Sequence, residues 1–302
     1  MQAPGEDIGA DLARRLVAEQ FPQWAHLPVR LVDRCGWNNR TFHLGDELSL
    51  RLPAARWYAS AIEKEQRWLP VLAPHLPLPI TAPVAVGQPG DGYPWAWSVC
   101  RWLPGETAEQ DPPKDLARFA EDLADFLLAL QRAAATDGPP AGKHSFHRGG
   151  DLAVYDAETR EALGKLHGQV DTGRARALWD AALASRWERP PVWVHGDVAP
   201  SNLLVQDGRL CSVIDFGQLC VGDPACDYGI AWTFFDAEAR RAFRARLAPD
   251  PGTWARAKGW TVWKALIVVA GLPGSNFRQL ALWRRALAEV LADEDKPGDD
   301  DP

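Results

Sequence analysis

One segment of the 302-residue chain, residues 192–217, constrains the possible folds more than any other. An apolar run leads into the tripeptide His195–Asp197 at the predicted end of a strand, and Asn202 follows in the next loop. The chain then forms a short strand, turns at Asp207-Gly208 and returns antiparallel, because an Asp-Gly pair between two apolar runs favours a tight hairpin. The returning strand ends at Asp215. The hairpin therefore brings Asp215 back towards Asn202.

Three polar side chains are predicted to meet at the open end of this hairpin. Asp and Asn oxygens are hard ligands that suit Mg²⁺, an ion that keeps several waters and is shared with substrate phosphates. A further Asp one loop away can accept the proton of an attacking hydroxyl. An Asp base, a loop Asn and an Asp before Phe-Gly together form the general pattern of phosphoryl transfer. Single Asp and Asn residues at turns are commonplace, but this spacing is specific.

The order of predicted elements divides the chain into a β-rich first third and a mainly helical remainder. Doubly wound sheets alternate strand and helix throughout, so this order predicts an α+β fold instead. The joint is Leu103–Gly105, which predicts lobes at residues 1–103 and 104–302, with a disordered acidic tail from about 293. The predicted helices are 7–20, 58–73, 114–134, 156–167 and 173–186, with more from 217 to about 294; the predicted strands are 29–34, 41–44, 47–52, 82–87 and 95–102.

With its HGD(x4)N and Asp-Phe-Gly motifs, the chain resembles the aminoglycoside phosphotransferase/choline kinase-like family over roughly residues 30–270. That family has a two-lobed protein-kinase-like fold, with a small β-rich N-terminal lobe and a larger, mainly helical C-terminal lobe. The resemblance implies transfer of the γ-phosphate of ATP or GTP, with Mg²⁺, to a hydroxyl of a small molecule. By resemblance Asp197 is the catalytic base, and Asn202 and Asp215 hold the metal. His195, and Asp223 and Asp227 of the GDPxxD element, would support the site structurally.

The resemblance also implies a nucleotide site in the first lobe. Arg51 occupies the position of the usual phosphate-binding Lys, and an Arg can still bind phosphate bidentately. Its expected partner is Glu65, although a solvated helix face is the alternative. A loop that contains Gly36, Asn38 and Asn39 is a candidate phosphate cover, because Gly and Asn adopt positive φ readily; an ordinary hairpin turn is the alternative. Cys100 and Trp102 would lie on the strand that meets the base.

Several readings of the function remain open at this stage. The acceptor can be an antibiotic such as an aminoglycoside, or a metabolite with a choline-like or sugar-like alcohol, since the fold does not select it. A nucleotide-binding pseudoenzyme is a second class, whereas a protein kinase is disfavoured because HRD and Ala-Pro-Glu motifs are missing. His195 as a general base, and a substrate role for Asp223 or Asp227, are further alternatives. The acceptor region is expected within residues 228–285. Its candidate side chains are Trp232, Asp236, Glu238, Trp260 and Trp263, most of which are expected to be ordinary core or surface residues.

Composition limits the partners. The net charge is −7, and without a basic stripe an acidic protein repels nucleic acid. The stretch 293–301 supplies −5 of this charge, so the total says little about the acceptor. Five scattered cysteines without a CxxC pair fit a reducing compartment. With no apolar run long enough to cross a bilayer, we expect a cytoplasmic monomer or homodimer that binds a nucleotide and a small hydroxylated acceptor, without membrane contact.

Overall fold

The computed structural model of the protein describes residues 8–33, 38–273 and 277–293. Its first part is a five-stranded antiparallel sheet of order β1-β2-β3-β5-β4, flanked by two helices. The elements are α1 (Ala10–Gln20), β1 (Val29–Leu31), β2 (Asn39–Leu44), β3 (Leu48–Pro53), α2 (Arg56–Leu72), β4 (Pro83–Gly87) and β5 (Trp97–Arg101).

Helix α2 joins the sheet to the rest of the molecule. Its buried side chains recur every three or four residues, as on one face of a helix, and Glu65 is the charged member of that stripe. Near the C-terminal end of α2, Leu69 and Leu72 pack into the large core of the helical part, whereas the sheet has its own smaller core. The helix therefore places Glu65 between the sheet and the large core.

The remainder is mainly helical, with two small sheets, of which one is β6-β8-β9 and the other β10-β7. Four of its longer helices begin at an Asp whose carboxylate accepts the backbone N–H three residues on, which satisfies an otherwise free donor. The elements are β6 (Glu106–Thr107), α3 (Leu116–Arg132), α4 (Asp156–Lys165), α5 (Thr172–Ala184), β7 (Val192–Val194), β8 (Leu203–Gln206), β9 (Arg209–Val213), β10 (Cys220–Gly222), α6 (Ile230–Thr233), α7 (Ala237–Leu247), α8 (Pro251–Val269) and α9 (Leu280–Ala292).

Helix α8 lies at the centre of the helical part and is buried along most of its length. Its Lys258 is 1 % exposed and forms an ion pair with Asp293, directly after α9, at 3.2 Å. The same carboxylate accepts a hydrogen bond from Trp232 at 3.1 Å and pairs with Arg240 at 3.4 Å. Asp293, where the sequence predicts the start of a loose tail, is thus bound into the core. The rest of that tail lies outside the described residues.

The predicted α+β fold class is confirmed, with most element boundaries within a few residues. The predicted β8–β9 hairpin is present, and its turn residues Asp207 and Gly208 both have positive φ, at 55° and 80°. Strand β1 ends at Leu31, shorter than predicted. Strands β6 and β10 were not predicted, because two or three residues are too few to show a period. Among the described residues, no helix has the length and apolar character needed to cross a membrane.

Candidate active site

The loop after β7 is fixed at its start by a buried histidine. His195 is fully buried; its Nε2 lies 3.1 Å from the carbonyl of Ile214, and its Nδ1 accepts the backbone N–H of Asp197 at 3.2 Å. This pairing requires Nε2 to carry the proton, and burial lowers the pKa of the ring, so the histidine is neutral. Since both nitrogens are occupied, the geometry does not suit His195 as a general base. Through this hydrogen bond with Ile214, His195 joins the loop to the segment that directly precedes Asp215.

The backbone conformation and the close packing at position 196 require a glycine. Its φ is 83°, and a Cβ at this position would lie 2.8 Å from the carbonyl oxygen of Gln218. The backbone N–H groups of His195 and Gly196 donate to the two carboxylate oxygens of Asp227, at 2.8 and 2.7 Å. Asp227 is 1 % exposed, and burial raises the pKa of its carboxyl. Both of its oxygens are therefore used to hold the loop immediately before Asp197.

Asp223 is also occupied within the protein. Its carboxylate forms a buried ion pair with Arg256 of α8 at 2.7 Å and accepts the backbone N–H of Ala225 at 3.1 Å. Burial raises the pKa of Asp223, while Arg256 opposes the increase. With these contacts, neither Asp223 nor Asp227 has the position expected of a substrate-binding carboxylate.

The three residues singled out by the sequence lie together after β7 and at the two ends of the hairpin. The Asn202 side chain donates to the Asp197 carbonyl at 2.9 Å and to the Asp197 carboxylate at 3.3 Å. Asp215 has a left-handed backbone, φ 61°, and within the described chain its carboxylate has one weak contact, from the Gly217 N–H at 3.4 Å. Burial and the charge of Asp215 raise the pKa of Asp197 to about 6. The Asp197 carboxyl therefore holds a proton more tightly than an ordinary aspartate.

A buried ion pair between the sheet and α2 lies near Asp215. Arg51 of β3 binds Glu65 of α2 through both terminal nitrogens, at 2.7 and 3.4 Å, and the two residues are 8 % and 2 % exposed. Burial lowers the pKa of Arg51, but the negative charges of Glu65 and Asp215 outweigh this effect, and the guanidinium stays charged. Asp215 therefore lies close enough to the ion pair for its charge to act on Arg51.

The other residues predicted to bind the nucleotide lie in different environments. Asn39 Oδ1 accepts from Arg51 at 3.2 Å when its amide nitrogen donates to the Asn38 carbonyl. Cys100 lies inside the sheet between β3 and β4 and is 1 % exposed. The Trp102 ring lies 4.0 Å from that of His43, and its backbone N–H donates to the Glu47 carbonyl at 2.7 Å. The backbone N–H of Trp102 is thus already bonded within the protein and is not free to donate to a nucleotide base. Gly36 falls outside the described residues.

The structure adds residues that the motifs did not indicate. Arg148, in the loop between α3 and α4, and Lys264 of α8 both lie close enough to Asp197 for their charges to oppose the increase of its pKa. Lys64 of α2 contacts His144 Nδ1 of the same loop at 3.0 Å. Burial lowers the pKa of Lys64 to about 8. The available signals were slight: Gly149 and Gly150 follow Arg148, and Lys264 interrupts an apolar run.

Comparison with known proteins gives concordant results. A sequence model of the phosphotransferase enzyme family (APH) matches residues 32–266. A Bacillus subtilis (strain 168) protein, the uncharacterized YcbJ, is 27% identical over 175 residues, which cover 53% of this chain and 51% of that protein. The chain thus matches about half the length of this curated relative.

Solved structures show the same fold. The GDP complex of wild-type aminoglycoside 2'-phosphotransferase-IIIa superposes with a TM-score of 0.68 at 19% identity, over 94% of this chain and 99% of that one. Macrolide 2'-phosphotransferase MphH from Brachybacterium faecium superposes with a TM-score of 0.59 at 21% identity, over 95% and 99%. At these identities the structures support the kinase-like fold alone. Since the family model covers well over half of the sequence, the chain belongs to the phosphotransferase enzyme family.

Proposed function

We propose that the protein transfers the γ-phosphate of ATP or GTP to a hydroxyl group of a small molecule. The observation that carries this proposal is the grouping of Asp197, Asn202 and Asp215, with the Arg51–Glu65 pair near enough for the charge of Asp215 to act on Arg51. Phosphoryl transfer needs a positioned nucleophile and compensation of phosphate charge more than it needs covalent chemistry. These residues offer both.

The donor set suits Mg²⁺. The Asn202 side-chain oxygen accepts no hydrogen bond from any residue the structure describes, and the Asp215 carboxylate has only its weak backbone contact. Few protein oxygens suffice for Mg²⁺, because it keeps several waters and is shared with substrate phosphates. Asn202 and Asp215 would hold the ion, and when bound it would offset negative charge on the phosphates.

The remaining chemistry belongs to the chain itself. Asp197 orients the acceptor hydroxyl and takes its proton as the hydroxyl oxygen bonds to the γ-phosphorus. The bond from that phosphorus to the nucleoside diphosphate breaks, and the diphosphate leaves. Arg51, held by Glu65, stays charged and binds donor phosphates. His195 and Asp227 fix the loop so that Asp197 is in position before substrate arrives.

Relatives support the proposal without fixing the acceptor. One neighbouring structure is a GDP and kanamycin complex, and another is a ternary complex with streptomycin and ATP. An aminoglycoside, a macrolide or a metabolite alcohol are each compatible with the catalytic residues, and so is either nucleotide. Antibiotic resistance is one biological role that this reaction would serve in the cytoplasm.

Asp197→Asn tests the proposed base. The variant should keep the nucleotide-induced thermal shift but lose transfer by about 10²–10⁴-fold, the usual contribution of a general base. The assay is release of nucleoside diphosphate over a panel of hydroxylated antibiotics and metabolites. Asp207→Asn, the same exchange at the exposed turn of the β8–β9 hairpin, is the control and should match wild type. Unchanged transfer in Asp197→Asn would contradict the assignment. A wild type that binds nucleotide but phosphorylates nothing would favour the pseudoenzyme.

A further inference from the structure

Five side chains form a surface beside Asp197 that the catalytic residues do not account for. We call this surface the acceptor wall; it consists of Arg148, Tyr155, Trp260, Trp263 and Lys264. Tyr155 stacks on Trp263, with ring centroids 3.9 Å apart and planes at 21°. Trp260 meets both rings edge-on, at 5.9 and 5.6 Å. Trp260 and Trp263 are each 4 % exposed, so the rings form a packed cluster, and Arg148, Tyr155 and Lys264 supply most of its exposed surface.

Two cations lie over these rings. The guanidinium of Arg148 is 5.7 Å from the centroid of Trp260 and 5.3 Å from that of Trp263. The ammonium of Lys264 is 5.5 Å from the centroid of Trp263. At these distances the ring faces attract positive charge, so the cations and the rings form one unit.

Backbone contacts hold the wall next to the catalytic loop. The Arg148 carbonyl accepts from the Cys220 thiol at 3.0 Å, and the Gly149 carbonyl accepts the Asp223 N–H at 2.8 Å. Cys220 lies on β10 opposite Val194, the last residue of β7, and the chain runs from there directly into Asp197. Both cations also oppose the increase of the pKa of Asp197, as expected of charges beside it.

Neither cation has a carboxylate partner in the described part of the chain. Among the described residues, no carboxylate oxygen lies within 4.0 Å of Arg148 or Lys264, whereas Arg51 and Arg256 have such partners. Glu158 and Asp197 both influence Lys264, but the Glu158 oxygen accepts the indole N–H of Trp263, and Asp197 is the proposed base. Burial and the charge of Arg148 lower the pKa of Lys264, as expected for two cations that repel each other. The buried indole N–H of Trp260 also has no partner within the described chain.

We propose that the acceptor carries an anionic group, such as a carboxylate, and that Arg148 and Lys264 of the acceptor wall bind this group. This inference rests on the proposed phosphotransferase function and narrows its acceptor. An anion would compensate two neighbouring positive charges. A polycationic acceptor would instead place like charges against Arg148 and Lys264.

The test uses three alcohols that share a phenyl ring and a hydroxyl but differ in charge: phenyllactate, neutral phenyllactamide and cationic phenylalaninol. Their dissociation constants are measured by ligand-observed NMR with the full chain, saturated with nucleoside diphosphate. Phenyllactate should bind at least about tenfold more tightly than phenylalaninol, with the amide between them. Arg148→Met and Lys264→Met keep apolar length against the rings and remove one charge each. Each should bring the ratio closer to one.

Lys165→Met is the matched control. Lys165 is an exposed residue of α4 paired with Glu161, so the variant loses the same charge away from the wall and should keep the wild-type ratio. Thermal unfolding verifies that each variant is folded. Equal or reversed affinity for phenylalaninol, or a ratio that persists in both wall variants, would overturn the inference.

Binding is measured without turnover, so the two proposals fail separately. A wild type that prefers the anion but transfers phosphate to no alcohol would count against the proposed function alone. Efficient phosphorylation of cationic alcohols would overturn the anionic acceptor and leave the phosphotransferase function in place.

Discussion

Asp227 supports the candidate catalytic loop through two short hydrogen bonds, and its removal should show what those bonds contribute. Asp227→Asn is the closest change in shape. An amide offers one acceptor oxygen, and its NH₂ group would face a backbone N–H that now meets an oxygen, at His195 or Gly196. The variant thus loses one charge-assisted hydrogen bond, about 1.5–3 kcal/mol, and leaves a buried N–H unsatisfied, about 1–3 kcal/mol.

One term acts in the opposite direction. Burial raises the pKa of Asp227, which shows that the charged form is costly in the folded state, and the neutral amide removes that cost. We therefore expect a net loss of about 2–4 kcal/mol in the free energy of unfolding, measured by urea denaturation. Asp180→Asn is the control: it removes an exposed carboxylate that pairs with Arg160 and should cost about 0–1 kcal/mol.

The rate of phosphate transfer should fall by more than the loss of stability alone explains. A shift of about 1 Å in the loop is enough to reduce the rate about 10²-fold, because Asp197 follows directly after the two held N–H groups. The rate of nucleoside diphosphate release is compared at a temperature at which the variant is still folded. Nucleotide affinity should change less than the transfer rate, since neither Arg51 nor Asp215 forms a hydrogen bond with Asp227. Wild-type stability in Asp227→Asn would refute the reasoning about the hydrogen bonds; a destabilised variant with unimpaired transfer would refute the link to catalysis.

Two further changes probe how the rest of the site is held. Arg256→Met leaves the buried carboxylate of Asp223 without its cation and should cost about 3–5 kcal/mol by urea unfolding. A carboxyl with a raised folded-state pKa gains protons on folding, so the deficit should be smaller at about pH 5 than at about pH 8, and an equal deficit would argue against an unpaired Asp223. Gly222→Ala would place a Cβ 2.0 Å from the carbonyl oxygen of Gly149, so the loop next to Arg148 must move and both stability and transfer should fall. Gly164→Ala, in α4 with no atom within 4 Å, should instead stabilise by about 0.5–1 kcal/mol, and similar effects of both alanines on thermal unfolding would count against the predicted clash.

The part of the site that lies close in sequence could be predicted from the sequence. Asp197, Asn202 and Asp215 belong to one loop and one hairpin, and the Asp-Gly turn determines how that hairpin closes. Local turn chemistry is therefore enough to bring the three together. The Arg51–Glu65 contact needed more, namely the family resemblance, because periodicity alone does not show which Glu of α2 faces the sheet.

Contacts between distant segments could not be predicted. Arg256 lies 33 positions from Asp223, and nothing in its own helix marks it as the partner of that carboxylate. Arg148 lies near Asp197 because its loop packs against β10, a three-residue strand too short to recognise from the sequence. The close approach of Gly149 and Gly222 is visible only when both backbones are placed. The wall beside the catalytic loop is thus a product of tertiary packing.

Asp293 determines where the chain can be shortened. Trimming the acidic end would look harmless from composition, as the removal of surplus charge from a protein already at −7. A cut before Asp293 would do something different: it would remove the carboxylate shared by Lys258, Arg240 and Trp232, and leave an almost fully buried ammonium without that counter-charge. Expression variants and C-terminal fusions should therefore begin their changes after Asp293.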